Sequence, residues 1–180
     1  MRYPSRIERL IVLNAPHPAC IERELRHWRQ LRRSWYAGVF QVPWLPEIVL
    51  RAGHGYLIQK ILERTVIHHE QLPDEILRLY RQQACEPGAL TAMLHYYRAA
   101  IRGGGAAQQR RIGYPRIDIP TLVIWGLQDL ALTRHNLDGL GQLVTNLSIR
   151  THADAGHFVH QDKPDAVTRD MLTWLRDHSP

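Results

Sequence analysis

Cysteine is scarce in this 180-residue chain, and lysine is as scarce, nearly all of the positive charge being arginine. Cys20 and Cys85 have no CxxC spacing and are too few for a disulfide framework, so free thiols are expected. Metal ligands are equally thin. His17 in NAPHP and the pair His68 and His69 find no Cys, Asp or Glu at a spacing that completes a tetrahedral set, and neither metal nor cofactor is expected. Long hydrophobic runs are also missing. No stretch approaches the roughly 20 apolar residues of a membrane helix, and MRYPSRIERL has no apolar signal core, which predicts a soluble, cytoplasmic protein without a membrane segment.

What is present is enough apolar material for a core: 44% of the residues are hydrophobic, in a chain of single-domain length. The net charge is +6 and the pI is near 9.7, a balance that raises the question of nucleic acid. The distribution answers against it. The arginines are spread along the chain and interleaved with acids, as in ERELRHWRQLRR, where Arg23, Arg26, Arg29 and Arg33 share one helix face that is expected to be solvated.

The apolar pattern orders the elements. IERLIVLN, residues 7–14, reads as a short strand buried on both faces of a parallel sheet. From Ile21 to Trp35, apolar Ile21, Leu25, Trp28, Leu31 and Trp35 recur at steps of three and four, predicting an amphipathic helix with arginines outside, ended by the prolines of VPWLPE. Residues 47–71 look helical but interrupted by AGHG at 52–55. Pro73 and Asp74 open a further helix, and Pro87 and Gly88 separate it from ALTAMLHYYRAAI. The expected inward stripe of that last helix is Leu90, Met93, Leu94, Tyr97 and Ile101. RGGGAAQQRR is the most linker-like segment and the expected subdomain boundary. IPTLVIWG then gives a second strand and LSIRTHADAGH contains a third, shorter one, with a helix expected between them, and a final helix from about Pro164 buries Val167, Met171, Trp174 and Leu175. The order predicts an α/β fold: parallel strands interrupted by an all-helical insertion.

Two loops at carboxyl ends of strands carry the candidate chemistry, since ligands of such sheets sit there. His157 lies in DAGHFVH beyond the third strand, and Asp129 lies in WGLQDLAL beyond the second. Adjacent parallel strands would bring them together, and the aspartate could then orient the imidazole and stabilise its cation. The plain alternative for Asp129 is a turn or helix-capping role. Tyr97 falls on the apolar stripe of its helix, so its buried hydroxyl needs a partner, either a backbone carbonyl or a substrate oxygen.

YPSRIERLIVLNAPHP, SWYAGVFQVPWLPE, LHYYRA, IPTLVIWGLQDLAL and AGHFVHQDKPDAV occur in the order found in epoxide hydrolases of the α/β-hydrolase fold, and the chain resembles the C-terminal part of that family over nearly its whole length. The resemblance implies a partial α/β-hydrolase core, residues 1–19 and 111–180, with a helical cap and linker at 20–110. It further implies that Tyr36 and Tyr97 hold an epoxide oxygen while an aspartate attacks carbon, and that His157, oriented by Asp129, activates water to hydrolyse the ester. No cofactor or metal is implied, and the expected ligand is a small-molecule epoxide or related electrophile.

The sequence departs from this family in one respect: neither a G-x-D-x-G nucleophile elbow nor an HG-x-P segment occurs in it. Asp138, in LDGLG, lacks the preceding strand that an elbow requires. The expectations are therefore a truncated gene product with Met1 internal to a longer frame, inactivity alone, and self-association through an open sheet edge. Two rivals remain. A haloalkane or haloacid dehalogenase-like hydrolase would use Trp35 and Trp44 as halide donors, although Asn14 occupies the position where some of those enzymes place the acid. The other rival is a non-catalytic remnant.

Overall fold

The computed structural model describes residues 6–178, so residues 1–5 of the expected core, which include the first three of the first resemblance segment, and the last two residues lie outside the described residues. The chain begins with β1 (Leu10–Leu13), followed by α1 (Pro18–Glu24), α2 (Trp28–Arg33), α3 (Trp35–Val39), α4 (Leu45–Thr65), α5 (Asp74–Cys85), α6 (Ala89–Ile101) and α7 (Gly105–Ile112). It then returns to β2 (Thr121–Gly126) and β3 (Leu147–His152) and ends in α8 (Val159–Asp162) and α9 (Pro164–Asp177). The three strands form one parallel sheet in the order β1-β2-β3. This is the α/β architecture with a helical insertion that the sequence predicts.

Every residue of β2 is buried, which is why its sequence is apolar without alternation. Its two faces separate with the period of two of a strand. Leu122 and Ile124 pack with Ala155, Val159, Val167 and Trp174 under α8 and α9, while Val123 and Trp125 pack with Cys20, Leu140 and Val144 on the other side. β1 is only half-buried along its length. Among the described residues no strand pairs its outer edge, so the apolar edge is open as expected.

The insertion has its own core. Leu50, Ala84, Leu90 and Leu94 form one cluster with Phe40 and Ile58. Leu62, Val66, Leu72 and Leu77 form a second, against which Phe158 packs, so the lid rests on the segment that carries His157. The expected break in α4 is real: Gly53, His54 and Gly55 all have positive φ, and the helix kinks there. Among the described residues no helix is long and apolar enough to cross a membrane.

Four expectations are corrected. The single helix from Ile21 to Trp35 is three short ones, interrupted at residues 25–27 and again at Ser34. Because the breaks change the phase, the stripe is turned outward: Trp28 is 71% and Trp35 68% exposed, and Leu25 and Leu31 are exposed too. Gln30, fully buried, faces the core instead, and Arg23 and Arg33 bind backbone carbonyls of the Asp129–Asp138 region rather than standing in solvent. The linker-like RGGGAAQQRR is mostly helical, since α7 begins at Gly105 once the turn at Gly103 and Gly104 is made. Between β2 and β3 the described residues form two 3-10 turns, Arg134–Leu137 and Leu140–Gln142, and no α-helix. Finally, Met93 and Ile101 of α6 are exposed, leaving Leu90 and Leu94 as its buried contacts.

Candidate active site

The loop after β2 and the loop after β3 meet over the carboxyl end of the sheet. Glycine makes the approach possible: a Cβ on Gly126, the last residue of β2, would run into the Gly156 carbonyl oxygen and lie 2.5 Å from that of Ala155. Only a bare backbone lets the histidine loop cross so close.

His157 Nδ1 stands 2.8 Å from Asp129 Oδ2. A carboxylate can only accept, so Nδ1 carries the proton and Nε2 is left as the basic nitrogen. Asp129 itself is 2% exposed, whereas the histidine side chain is 30% exposed. Asp129 makes both sets of contacts at once, on different oxygens. Oδ1 accepts from the main-chain N–H of Ala131 at 2.7 Å and of Leu132 at 2.9 Å, the turn role, while Oδ2 serves the imidazole.

Oδ2 has a second donor, Asn14 Nδ2, at 2.8 Å. Asn14 closes β1 with a left-handed φ of 39°, a conformation that asparagine tolerates better than most residues. Its own Oδ1 accepts from Gly126 N at 2.9 Å, so one amide ties the ends of β1 and β2 to the acid. Arg33, from the lid, donates to the Asp129 carbonyl at 2.5 Å and to that of Leu132 at 3.0 Å. Gln30 completes the support: its Nε2 donates to Ala131 O at 2.8 Å and its Oε1 accepts from Thr133 N at 2.9 Å. The carboxylate loop is thus held through its backbone by α2 and through its carboxylate by Asn14.

The two tyrosines expected from the sequence are brought together in the lid. Tyr36 on α3 and Tyr97 on α6 pack edge-on with ring centroids 5.9 Å apart, and Phe40 contacts both rings. Burial is the main cause that raises both hydroxyls above the ordinary tyrosine value, and in Tyr36 the hydrogen bond to Tyr97 and the charge of Asp129 add to it. A raised value keeps a phenol protonated, so each remains an O–H donor throughout the range in which proteins are stable.

Asn14, Gln30, Arg33 and Asp162 are the supporting residues that sequence reasoning misses. Asn14 is legible as the polar end of a strand and as the residue standing where some dehalogenases place the acid, but not as a donor to Asp129, and the others act largely on backbone groups, which carry no sequence signature. Among the described residues no group of three His, Cys, Asp or Glu could hold a metal ion.

No family model matches the sequence. Curated relatives include epoxide hydrolase 3 of Mus musculus, 29% identical over 97% of this chain and 47% of its own length, and epoxide hydrolase 2 of Caenorhabditis elegans, 26% identical over 99% and 50%. Among solved structures, the Bacillus megaterium epoxide hydrolase in complex with an inhibitor superposes with a TM-score of 0.82 at 28% identity, covering 97% of this chain and 63% of that one. The chain spans about half the length of the curated relatives it matches. It is therefore similar to the C-terminal part of epoxide hydrolases of the α/β-hydrolase fold.

Proposed function

We propose that this chain supplies the lid, the oxygen-holding tyrosines and the water-activating histidine of an epoxide hydrolase, with residues 1–19 and 111–180 as its share of the core and 20–110 as its cap and linker. The observation that carries the reading is the His157–Asp129 bond in a chain whose lid also brings together two half-buried tyrosines whose hydroxyls stay protonated.

In the proposed reaction Tyr36 and Tyr97 donate hydrogen bonds to the epoxide oxygen. An aspartate carboxylate forms a bond to one ring carbon as the carbon–oxygen bond breaks, and the released oxygen takes a proton from a tyrosine. Water then adds to the ester carbonyl and gives its proton to His157 Nε2, while Asp129 stabilises the imidazolium. The acyl–oxygen bond breaks, the departing diol oxygen takes the proton of the added hydroxyl as the carboxylate is regenerated, and the imidazolium proton returns through solvent to the tyrosinate, so that both groups are restored. The attacking aspartate has no G-x-D-x-G candidate in these 180 residues, so the complete cycle needs a carboxylate from outside them.

Asn14 disfavours the dehalogenase alternative, because an amide that donates to Asp129 cannot serve as the acid itself. The test is hydrolysis of a styrene-oxide analogue by the chain alone and by the chain joined to a strand bearing a G-x-D-x-G elbow. The expected result is turnover in the joined form only, abolished by His157→Gln. Turnover by the chain alone, or joined turnover indifferent to His157, would overturn the proposal, and turnover of a haloalkane but not an epoxide would favour the alternative.

A further inference from the structure

Asp162 ends α8, five residues beyond His157, and is 2% exposed. Its carboxylate is divided between two parts of the molecule. Oδ2 accepts from the main-chain N–H of Gly156 at 2.7 Å, the residue immediately before His157. Oδ1 accepts from the main-chain N–H of Ile67 at 2.6 Å and of His68 at 2.9 Å, in the segment that leaves the end of α4. One buried side chain therefore bonds both the lid backbone and the histidine loop.

The packing around it is as close as the bonding. A Cβ on Gly156 would stand 2.5 Å from the carbonyl oxygen of Thr65, the last residue of α4. On its other side the Gly156 carbonyl presses on Gly126 at the end of β2. The histidine loop is thus held between the sheet and the lid, and the carboxylate closes the joint. Burying a carboxylate is costly unless its lone pairs are satisfied. An apolar residue would fill α8 without that cost, and a residue that only capped a turn would not reach the lid.

We propose that Asp162 is a positioning residue that couples the seating of the lid to the orientation of His157. When the lid end at Ile67 and His68 moves, Oδ1 moves with it, and Oδ2 carries the movement to Gly156 and the imidazole beside it. The inference deepens the epoxide-hydrolase proposal, since it says when the base is aligned, but the bonds on which it stands are independent of the substrate.

The test reads the histidine without any substrate. The proton on His157 Nδ1, hydrogen-bonded to Asp129, gives a downfield 1H resonance that is assigned by its absence in His157→Gln. A second pair, His152 Nε2 to Asp170 Oδ2 at 3.0 Å, joins β3 to α9 and serves as an internal reference. In Asp162→Asn the amide offers one acceptor oxygen and turns an N–H toward N–H donors, so one side of the joint opens. The expected result is that the His157 resonance is lost or moves upfield while the His152 resonance stays in place. An unchanged His157 resonance in a folded variant would overturn the proposal, as would equal loss of both, which marks general loosening. Should Asp162→Asn fail to fold, hydrogen exchange of the unsubstituted chain decides: Gly156, Ile67 and His68 amides opening together support the coupling, and independent opening overturns it. Because neither readout involves turnover, failure of the epoxide reading leaves this result interpretable, and the reverse holds too.

Discussion

Replacing Asp129 by asparagine removes the negative charge at the centre of the site and changes its outline hardly at all. The carboxylate accepts four hydrogen bonds, from His157 Nδ1, Asn14 Nδ2, Ala131 N and Leu132 N. An amide has one acceptor oxygen, so in either orientation two of these four donors face an NH2 group. A hydrogen bond to a charged group contributes about 1.5–3 kcal/mol, and two are lost, a gross cost of about 3–6 kcal/mol. Burying a neutral amide instead of an ion offsets part of this, leaving a net loss of about 2–4 kcal/mol. With a urea slope near 2 kcal/mol/M the unfolding midpoint falls by about 1–2 M. Adding Asn14→Asp to Asp129→Asn exchanges donor and acceptor between the two positions. The carboxylate now at position 14 accepts from both the amide at position 129 and Gly126 N, so the double variant recovers stability while His157 still lacks its carboxylate. Urea unfolding of the two single variants and the double variant measures this directly. An unchanged midpoint in Asp129→Asn, or a double variant less stable than both single ones, would refute the reasoning.

Three further outcomes are expected. Arg33→Ala removes two donors to the Asp129 loop and should lower stability by about 1–3 kcal/mol, with faster hydrogen exchange at Ala131 and Leu132; unchanged exchange there would mean that the lid does not hold the loop. In His160 the burial of the ring, then the neighbouring His157 charge, lower the affinity for a proton, partly opposed by Asp162. The folded state therefore binds a proton less readily than the unfolded one, so this contribution is fully present above the ordinary 6.5 and is lost as pH falls through the lower folded-state value. Thermal unfolding of His160→Gln should then show a shallower loss of stability on acidification, and an identical pH profile would contradict that assignment. Through the open outer edge of β1 the chain should self-associate, so sedimentation at rising concentration should show oligomers that Ile11→Pro suppresses, because Leu10 and Asn14 turn their N–H groups to β2 and Ile11 between them turns its own outward, whereas a monomer at every concentration would count against it.

The parts of this molecule that can be read from sequence are those where one residue's neighbours along the chain determine its environment. β2 is apolar from Leu122 to Trp125 because it is covered on both faces, and its identity and the loop behind it are read directly. His157 and Asp129 can be paired because both come just after parallel strands, a consequence of topology that needs no side-chain detail. The tyrosines are placed by resemblance more than by pattern, since Tyr36 lies on a five-residue helix too short to show a period. The arginine-rich segment misleads for a related reason. The breaks at residues 25–27 and at Ser34 rotate the downstream residues about the helix axis, so a continuous 3.6-residue period assigns Arg33 to solvent and Trp28 to the core, the reverse of what is found. The helix expected between β2 and β3 fails on glycine: Gly139, at a φ of 72°, opens a 3-10 turn where an α-helix would have had to continue. The supporting roles of Asn14 and Asp162 are beyond reach, because their partners, a distant carboxylate and backbone for Asn14 and three main-chain N–H groups for Asp162, are supplied by the fold.

The central claim is that His157, oriented by Asp129, activates the water that releases a covalent ester. Intact-protein mass spectrometry of the elbow-complemented protein, mixed with a styrene-oxide analogue, tests it most directly. In His157→Gln the ester should form and persist, adding the mass of one epoxide to the protein, while in the unsubstituted form it should turn over without accumulating. A His157→Gln protein that carries no adduct, or that still releases diol at the unsubstituted rate, would contradict the account.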